Sequence, residues 1–156
     1  MKPWLLITLL VVATIAAFVV FKKLMERAKK MTAPVNGPIT SPFGEREHPV
    51  TGGEHFHNGI DYGVPVGTEI RAPFDGEVSQ RYTNDVGGLQ LILRHTNGYT
   101  TGYAHLSDAR VNVGDTVGKG QVIALSGATG RVTGPHLHFT MRGPENNYLD
   151  PQLYLA

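Results

Sequence analysis

Cysteine is absent from all 156 residues, which excludes disulfide staples, thiolate zinc sites and cysteine nucleophiles and leaves the redox compartment open. Missing too are His-Glu-x-x-His, the pattern of helical zinc proteases, and the Gly-x-Ser-x-Gly elbow of serine hydrolases. Beyond residue 34 no stretch spaces its apolar residues at helical period, and there is no tandem repeat or low-complexity tract. Basic residues are scarce there as well. Lys2, Lys22, Lys23, Arg27, Lys29 and Lys30 against Glu26 make the first thirty residues +5, and the remainder, with eight basic and twelve acidic residues, is −4. An acidic globular part argues against nucleic acid as a partner.

One long hydrophobic run is present. Residues 4–21, WLLITLLVVATIAAFVVF, carry no charge, and eighteen residues of helix span about 27 Å, close to the roughly 30 Å core of a bilayer. The run ends in Phe21-Lys22-Lys23 rather than in small residues, so an uncleaved single transmembrane helix is expected in place of a removed signal peptide. Basic residues 22–30 suit anionic headgroups or a solvated linker. Pro34, Gly37 and Pro38 stop any helix, which divides the chain into an anchor with its basic segment, residues 1–33, and a globular domain, residues 34–156.

With 19 glycines and 10 prolines, the domain reads as short strands between tight turns, an all-β, antiparallel, sheet or barrel-like fold. Asp75-Gly76 predicts a hairpin between residues 69–72 and 76–80, and Asn97-Gly98 one between residues 89–94 and 99–105. Residues 50–54 and 81–88 read as loops.

Chemistry concentrates in histidines. Along an extended chain His136 and His138 project to one side while Leu137 points into the core. His57 and Asp61 form a second candidate pair, with Gly59 and Gly63 favouring strand and turn over helix. With one histidine of the later pair they would supply nitrogen and oxygen ligands for zinc and leave a position open for water. His55 forms a rival His-x-His pair with His57. His48 and His95 read as surface histidines, Asp75, Asp85, Asp108 and Asp115 as turn formers, and Tyr62 and Tyr103 as core.

His57-Asn58-Gly59-Ile60-Asp61-Tyr62-Gly63, Gly67-Thr68, Ala72-Pro73, Asp75-Gly76, Tyr103-Ala104-His105-Leu106, Val113-Gly114-Asp115, Gly120-Gln121, Gly127, Thr129-Gly130 and Pro135-His136-Leu137-His138-Phe139 occur in one order over residues 36–151. In order and spacing they resemble the lysostaphin/LytM-type zinc metallopeptidases. The resemblance implies a compact, largely antiparallel β domain, one zinc ion per chain on His57, Asp61 and His138, and two unligated catalytic histidines, His105 and His136. It implies hydrolysis of peptide bonds in peptidoglycan, in the stem peptide or the cross-bridge. On this reading the partners are peptidoglycan and, through residues 4–21, a lipid bilayer.

Two other functions fit parts of the sequence. A non-catalytic LytM-type regulator of other wall hydrolases is the alternative within the fold, although all five expected positions are filled. A biotinyl or lipoyl carrier would use the hairpin rhythm of residues 111–121 and Lys119, but it explains none of the histidines. The expected location is a membrane, single-pass, with the catalytic domain facing peptidoglycan in a bacterial envelope or from the membrane of a phage virion. The basic residues after the span instead favour a cytoplasmic domain under the positive-inside rule. Delivery in a viral membrane or a dedicated insertion route would reconcile the two.

Overall fold

The computed structural model describes residues 30–47 and 54–155, together with Phe18. The expected transmembrane span thus lies outside the described residues except at that position. Among the described residues no helix is long and apolar enough to cross a membrane. The chain separates into two compact units, Met1–Lys30 and Met31–Ala156.

Strands and turns make up the second unit, as the glycine-punctuated pattern predicts. In chain order the strands are β1 (Ile39–Ser41), β2 (Gly44–Glu47), β3 (Glu54–His57), β4 (Gly59–Tyr62), β5 (Glu69–Arg71), β6 (Gly76–Asn84) and β7 (Gly88–His95). There follow β8 (Thr100–Leu106), β9 (Asp108–Ala109), β10 (Thr116–Val117), β11 (Val122–Leu125), β12 (Leu137–Arg142) and β13 (Tyr148–Leu149), with one 3-10 turn at Pro151–Leu153. The main sheet runs β1-β4-β12-β8-β7-β6-β10, with β13 on the far part of β12. A three-stranded sheet (β5-β11-β9) and a two-stranded one (β2-β3) complete it. Every strand pair is antiparallel; an isolated parallel bridge joins Met31 to Leu155.

Alternation along β12 sets the two faces of the main sheet. Leu137, Phe139 and Met141 are fully buried, whereas His138, Thr140 and Arg142 are half-buried on the opposite face. The inward residues pack with Ile60, Leu91, Leu93, Tyr103, Leu106 and Ile123, all at most 1% exposed, and burial of such side chains is the main stabilising term for a domain of this size. The outward face is the floor of a groove. Two close approaches shape it. A Cβ on Gly59 would lie 2.3 Å from Phe139 O, and one on Gly102 would lie 2.5 Å from Thr140 Oγ1. Only glycine lets β4 and β8 sit this close to β12.

Three expectations fail here. Residues 69–72 and 76–80 do not form a hairpin: β5 pairs with β11 in the smaller sheet, and β6 pairs with β7 and β10. Asp75 acts between the sheets instead, its backbone oxygen accepting from Thr96 N at 3.0 Å and its carboxylate from Lys119 N at 2.7 Å. Gly76 is required because a Cβ there would meet Arg94 O at 2.4 Å. Residues 81–84 extend β6 rather than form a loop; Arg81, Tyr82 and Thr83 pair with Leu91, Gln90 and Leu89, and Tyr82 and Thr83 are good strand formers. His95 is buried, 4% exposed, with Nε2 2.7 Å from Thr101 Oγ1, which in turn bonds Tyr103 OH at 2.8 Å. The Asn97-Gly98 hairpin between β7 and β8 does form, with Gly98 at φ 87°. Tyr62 and Tyr103 are core residues as expected.

Candidate metal and hydrolytic centre

Asp61 on β4 stands directly across from His138 on β12, so the pleat puts both side chains on the groove face. His57 closes β3, with only Asn58 between it and the start of β4, and the break there turns its ring toward the same point. The result is a cluster in which one ligand atom from each of His57, Asp61 and His138 lies within 4.8 Å of the others. His57 Nε2 is 3.2 Å from Asp61 Oδ1 and 3.0 Å from His138 Nδ1, and His138 Nδ1 is 2.7 Å from Asp61 Oδ1.

The outer nitrogens of the two rings fix their orientation. His57 Nδ1 lies 2.7 Å from Pro42 O, and His138 Nε2 lies 3.2 Å from Asn58 Oδ1. Each of these contacts is with an acceptor, so each outer nitrogen donates to it. The inner nitrogens, His57 Nε2 and His138 Nδ1, converge with a carboxylate oxygen on one point. Such a convergence suits a cation. Two imidazoles and one carboxylate are the donor set of a borderline metal such as zinc, and the outer hydrogen bonds orient the rings for it. Burial pushes the Asp61 carboxyl upward, but hydrogen bonds and charge from His138 and His57 outweigh this and hold it well below the usual carboxylate range. It is a carboxylate throughout the physiological range.

His105 on β8 and His136 just before β12 stand beside this cluster. Their rings are 4.6 Å apart, and His105 is 6.3 Å from the His138 ring, centroid to centroid. Again the backbone sets the tautomers. His105 Nδ1 is 2.8 Å from Thr129 O, and His136 Nδ1 is 2.9 Å from Gly134 O. Each Nδ1–H donates to its carbonyl, which leaves both Nε2 atoms available for proton transfer. Burial pushes the His105 imidazole below its ordinary pKa, with Thr129 opposing and the neighbouring histidines reinforcing the shift. His105 also sits in the left-handed region at φ 63°, unusual for a non-glycine residue and frequent at functional sites. Its backbone N donates to Gly87 O at 2.7 Å, so the β6–β7 turn holds it there. Thr129 is fixed from the same side, its hydroxyl accepting from Leu89 N at 3.0 Å and donating to Leu106 O at 2.8 Å.

All five histidine and aspartate candidates therefore meet at one end of the groove. Sequence reasoning did not find the groups that orient them: Pro42 O, Asn58, Gly87 O, Thr129 and Gly134 O. Asn58 and Thr129 stand inside the motifs, but their roles come from tertiary contacts; the carbonyls have no side-chain signature.

The sequence pattern of peptidase family M23 matches residues 55–151. The peptidoglycan DD-endopeptidase ShyC of Vibrio cholerae is 47% identical over 102 residues, which cover 65% of this chain and 24% of ShyC. The glycyl-glycine endopeptidase ALE-1 of Staphylococcus capitis is 40% identical over 111 residues, covering 68% of this chain and 30% of ALE-1. A crystal structure of a zinc-containing peptidase from Vibrio cholerae superposes with a TM-score of 0.73 at 40% identity, covering 78% of this chain and 39% of that one. The chain spans about a quarter of the length of the curated relatives it matches. A matched segment that takes in the whole histidine–aspartate cluster, on an antiparallel sheet shared with that zinc-containing structure, leads to one conclusion: the chain belongs to peptidase family M23.

Proposed function

We propose that this chain is a zinc-dependent endopeptidase that hydrolyses peptide bonds in peptidoglycan. The observation that carries the reading is the convergence of His57 Nε2, Asp61 Oδ1 and His138 Nδ1 on one point, beside two histidines whose Nδ1 atoms are each held by a backbone carbonyl. His57, Asp61 and His138 would hold one zinc ion. Bound there, zinc supplies Lewis acidity, which polarises a carbonyl and makes water acidic near neutral pH.

The remaining work falls to the protein. His105 and His136 are the catalytic pair: one, neutral, accepts the proton of the attacking water at Nε2 and hands it to the leaving amine, and the other, carrying a proton on Nε2, donates to the developing oxyanion. Held neutral by its burial, His105 is suited to accepting a proton at physiological pH. The substrate backbone lies in extended form along the groove floor, over Ala104 and Gly102. Peptidoglycan as substrate is supported by the likeness to ShyC, a peptidoglycan DD-endopeptidase, and ALE-1, a glycyl-glycine endopeptidase. Residues 4–21 would anchor the domain to a membrane from which it faces the wall.

Digestion of purified peptidoglycans of different cross-link chemistry by the full chain tests this. Soluble fragments with new amino termini are expected, lost on chelation and restored by zinc. Zinc binding without fragments from any wall would replace the hydrolase with a regulator of other hydrolases.

A further inference from the structure

The groove continues well past the metal cluster, and its far end has a different character. A cleft of about 270 Å³ runs from Asn58 and His138 over Thr140 and Gly102 to Arg94 and Arg142. His138 and Arg142 are four residues apart on β12, so about 13 Å of strand separates them. Arg142 and Arg94 are both direct cross-strand neighbours of Thr100, one from β12 and one from β7. Their Cα atoms therefore lie about 10 Å apart on one sheet face, within reach of a single small anion between them.

The Arg142 guanidinium is held ready. It stacks over the Tyr148 ring at 4.3 Å, donates to Tyr148 OH, and donates to Asn146 Oδ1 at 3.1 Å. Both of those acceptors are neutral, so the positive charge is oriented without being cancelled, and several N–H donors remain. Arg94 is exposed. Among the described residues neither arginine takes part in an ion pair. Among the described residues no aspartate or glutamate lines the cleft. Glu77, opposite Arg94 on β6 and so on the same sheet face, is exposed and lies beyond the cleft lining.

We propose that Arg94 and Arg142 form a carboxylate-binding subsite about four peptide residues from the scissile bond, so that the enzyme selects acidic stem peptides over neutral glycine bridges. The inference rests on the hydrolase reading above and adds the substrate class to it. An oriented arginine fork recognises a planar carboxylate by paired charge-assisted hydrogen bonds. A polyglycine segment offers no such group at that distance.

The test compares cross-linked stem-peptide dimers bearing free carboxylates with the same dimers amidated, for the full chain and for Arg94→Gln, Arg142→Gln and Arg142→Lys. Wild type is expected to cleave the free form with a kcat/KM about 10- to 100-fold higher, the scale of one or two charged hydrogen bonds. The ratio falls toward one in both glutamine variants and only partly in Arg142→Lys, which keeps the charge without the fork. Equal cleavage of the two dimers by wild type overturns the subsite and leaves the hydrolase intact. If neither dimer is cleaved, calorimetric titration decides. Tighter binding of the free form, abolished by Arg142→Gln, sustains the subsite while the hydrolase reading falls; equal binding overturns the subsite.

Discussion

Gly59→Ala is expected to damage the fold and the metal cluster together. A Cβ at this position would lie 2.3 Å from Phe139 O and 3.0 Å from both the Phe139 carbonyl carbon and Thr140 Cγ2. Two of the three obstacles are backbone atoms in the centre of the main sheet, so no side chain can swing aside to make room. Reaching an ordinary 3.4 Å contact requires β4 and β12 to part by about 1 Å. Overpacking of this kind costs about 1–3 kcal/mol, and one or two weakened ladder hydrogen bonds add about 0.5–1.5 kcal/mol each. For a domain of this size that corresponds to a fall in Tm of roughly 5–30 °C. The same displacement reaches the site, because Gly59 pairs with Thr140 and, two residues on, Asp61 pairs with His138. Metal–ligand distances tolerate only about 0.2 Å, so zinc affinity should fall by about 10- to 100-fold or more, as when ligand-orienting partners are lost. Thermal unfolding in chelator gives the first quantity, and competition against a chromophoric chelator gives the second. Gly114→Ala is the control: Gly114 has φ +90° with nothing within 4 Å of a built Cβ, so it should cost about 1–2 kcal/mol of backbone strain and leave zinc affinity unchanged. A Gly59→Ala protein with wild-type Tm, or one that is destabilised yet binds zinc as tightly as wild type, would refute this account of the β4–β12 contact.

His105→Ala and His136→Ala should retain zinc and lose about 10²- to 10⁴-fold in hydrolysis, whereas His138→Ala should lose both; wild-type rates in the two metal-retaining variants would end the role assignment. Thr129→Val removes the hydroxyl that ties this residue to Leu89 and Leu106, so kcat should drop with zinc content unchanged, and an unaltered kcat would show that Thr129 does not position His105. Stability should depend on pH through His95, whose burial holds its pKa below the ordinary value near 6.5, opposed in part by the backbone of Asp75 and Phe74. The unfolded chain binds this proton more readily, so the contribution is complete above pH 6.5 and is lost as pH falls from there through the folded value. Unfolding curves between pH 8 and 5 in chelator should therefore be flatter for His95→Gln, and identical slopes would count against His95 as the source.

Local pattern was enough where chemistry and periodicity coincide. His136-Leu137-His138 announces its own geometry, and Leu137 is fully buried with His138 on the groove face. The Asn97-Gly98 turn closes the hairpin that its composition predicts. The failures share one cause. Asp75-Gly76 has hairpin composition, yet the chain on either side pairs elsewhere because Gly76 is needed for close packing on Arg94 O. His95 looks like a surface residue beside a turn, but Thr101 and Tyr103 give its ring a buried polar partner chain. Ring orientation at the site is likewise decided by carbonyls of Pro42, Thr129 and Gly134, which any residue could supply and no local window reveals.

The middle of the groove floor is made of Gly102 and Ala104 with Thr140 beside them, small residues that present little side chain. Under the proposed function such a surface would treat extended chains alike, and discrimination would come from the rim and the two ends. Exchange of peripheral segments would then redirect the scaffold from one wall chemistry to another while the five histidine and aspartate positions stay untouched.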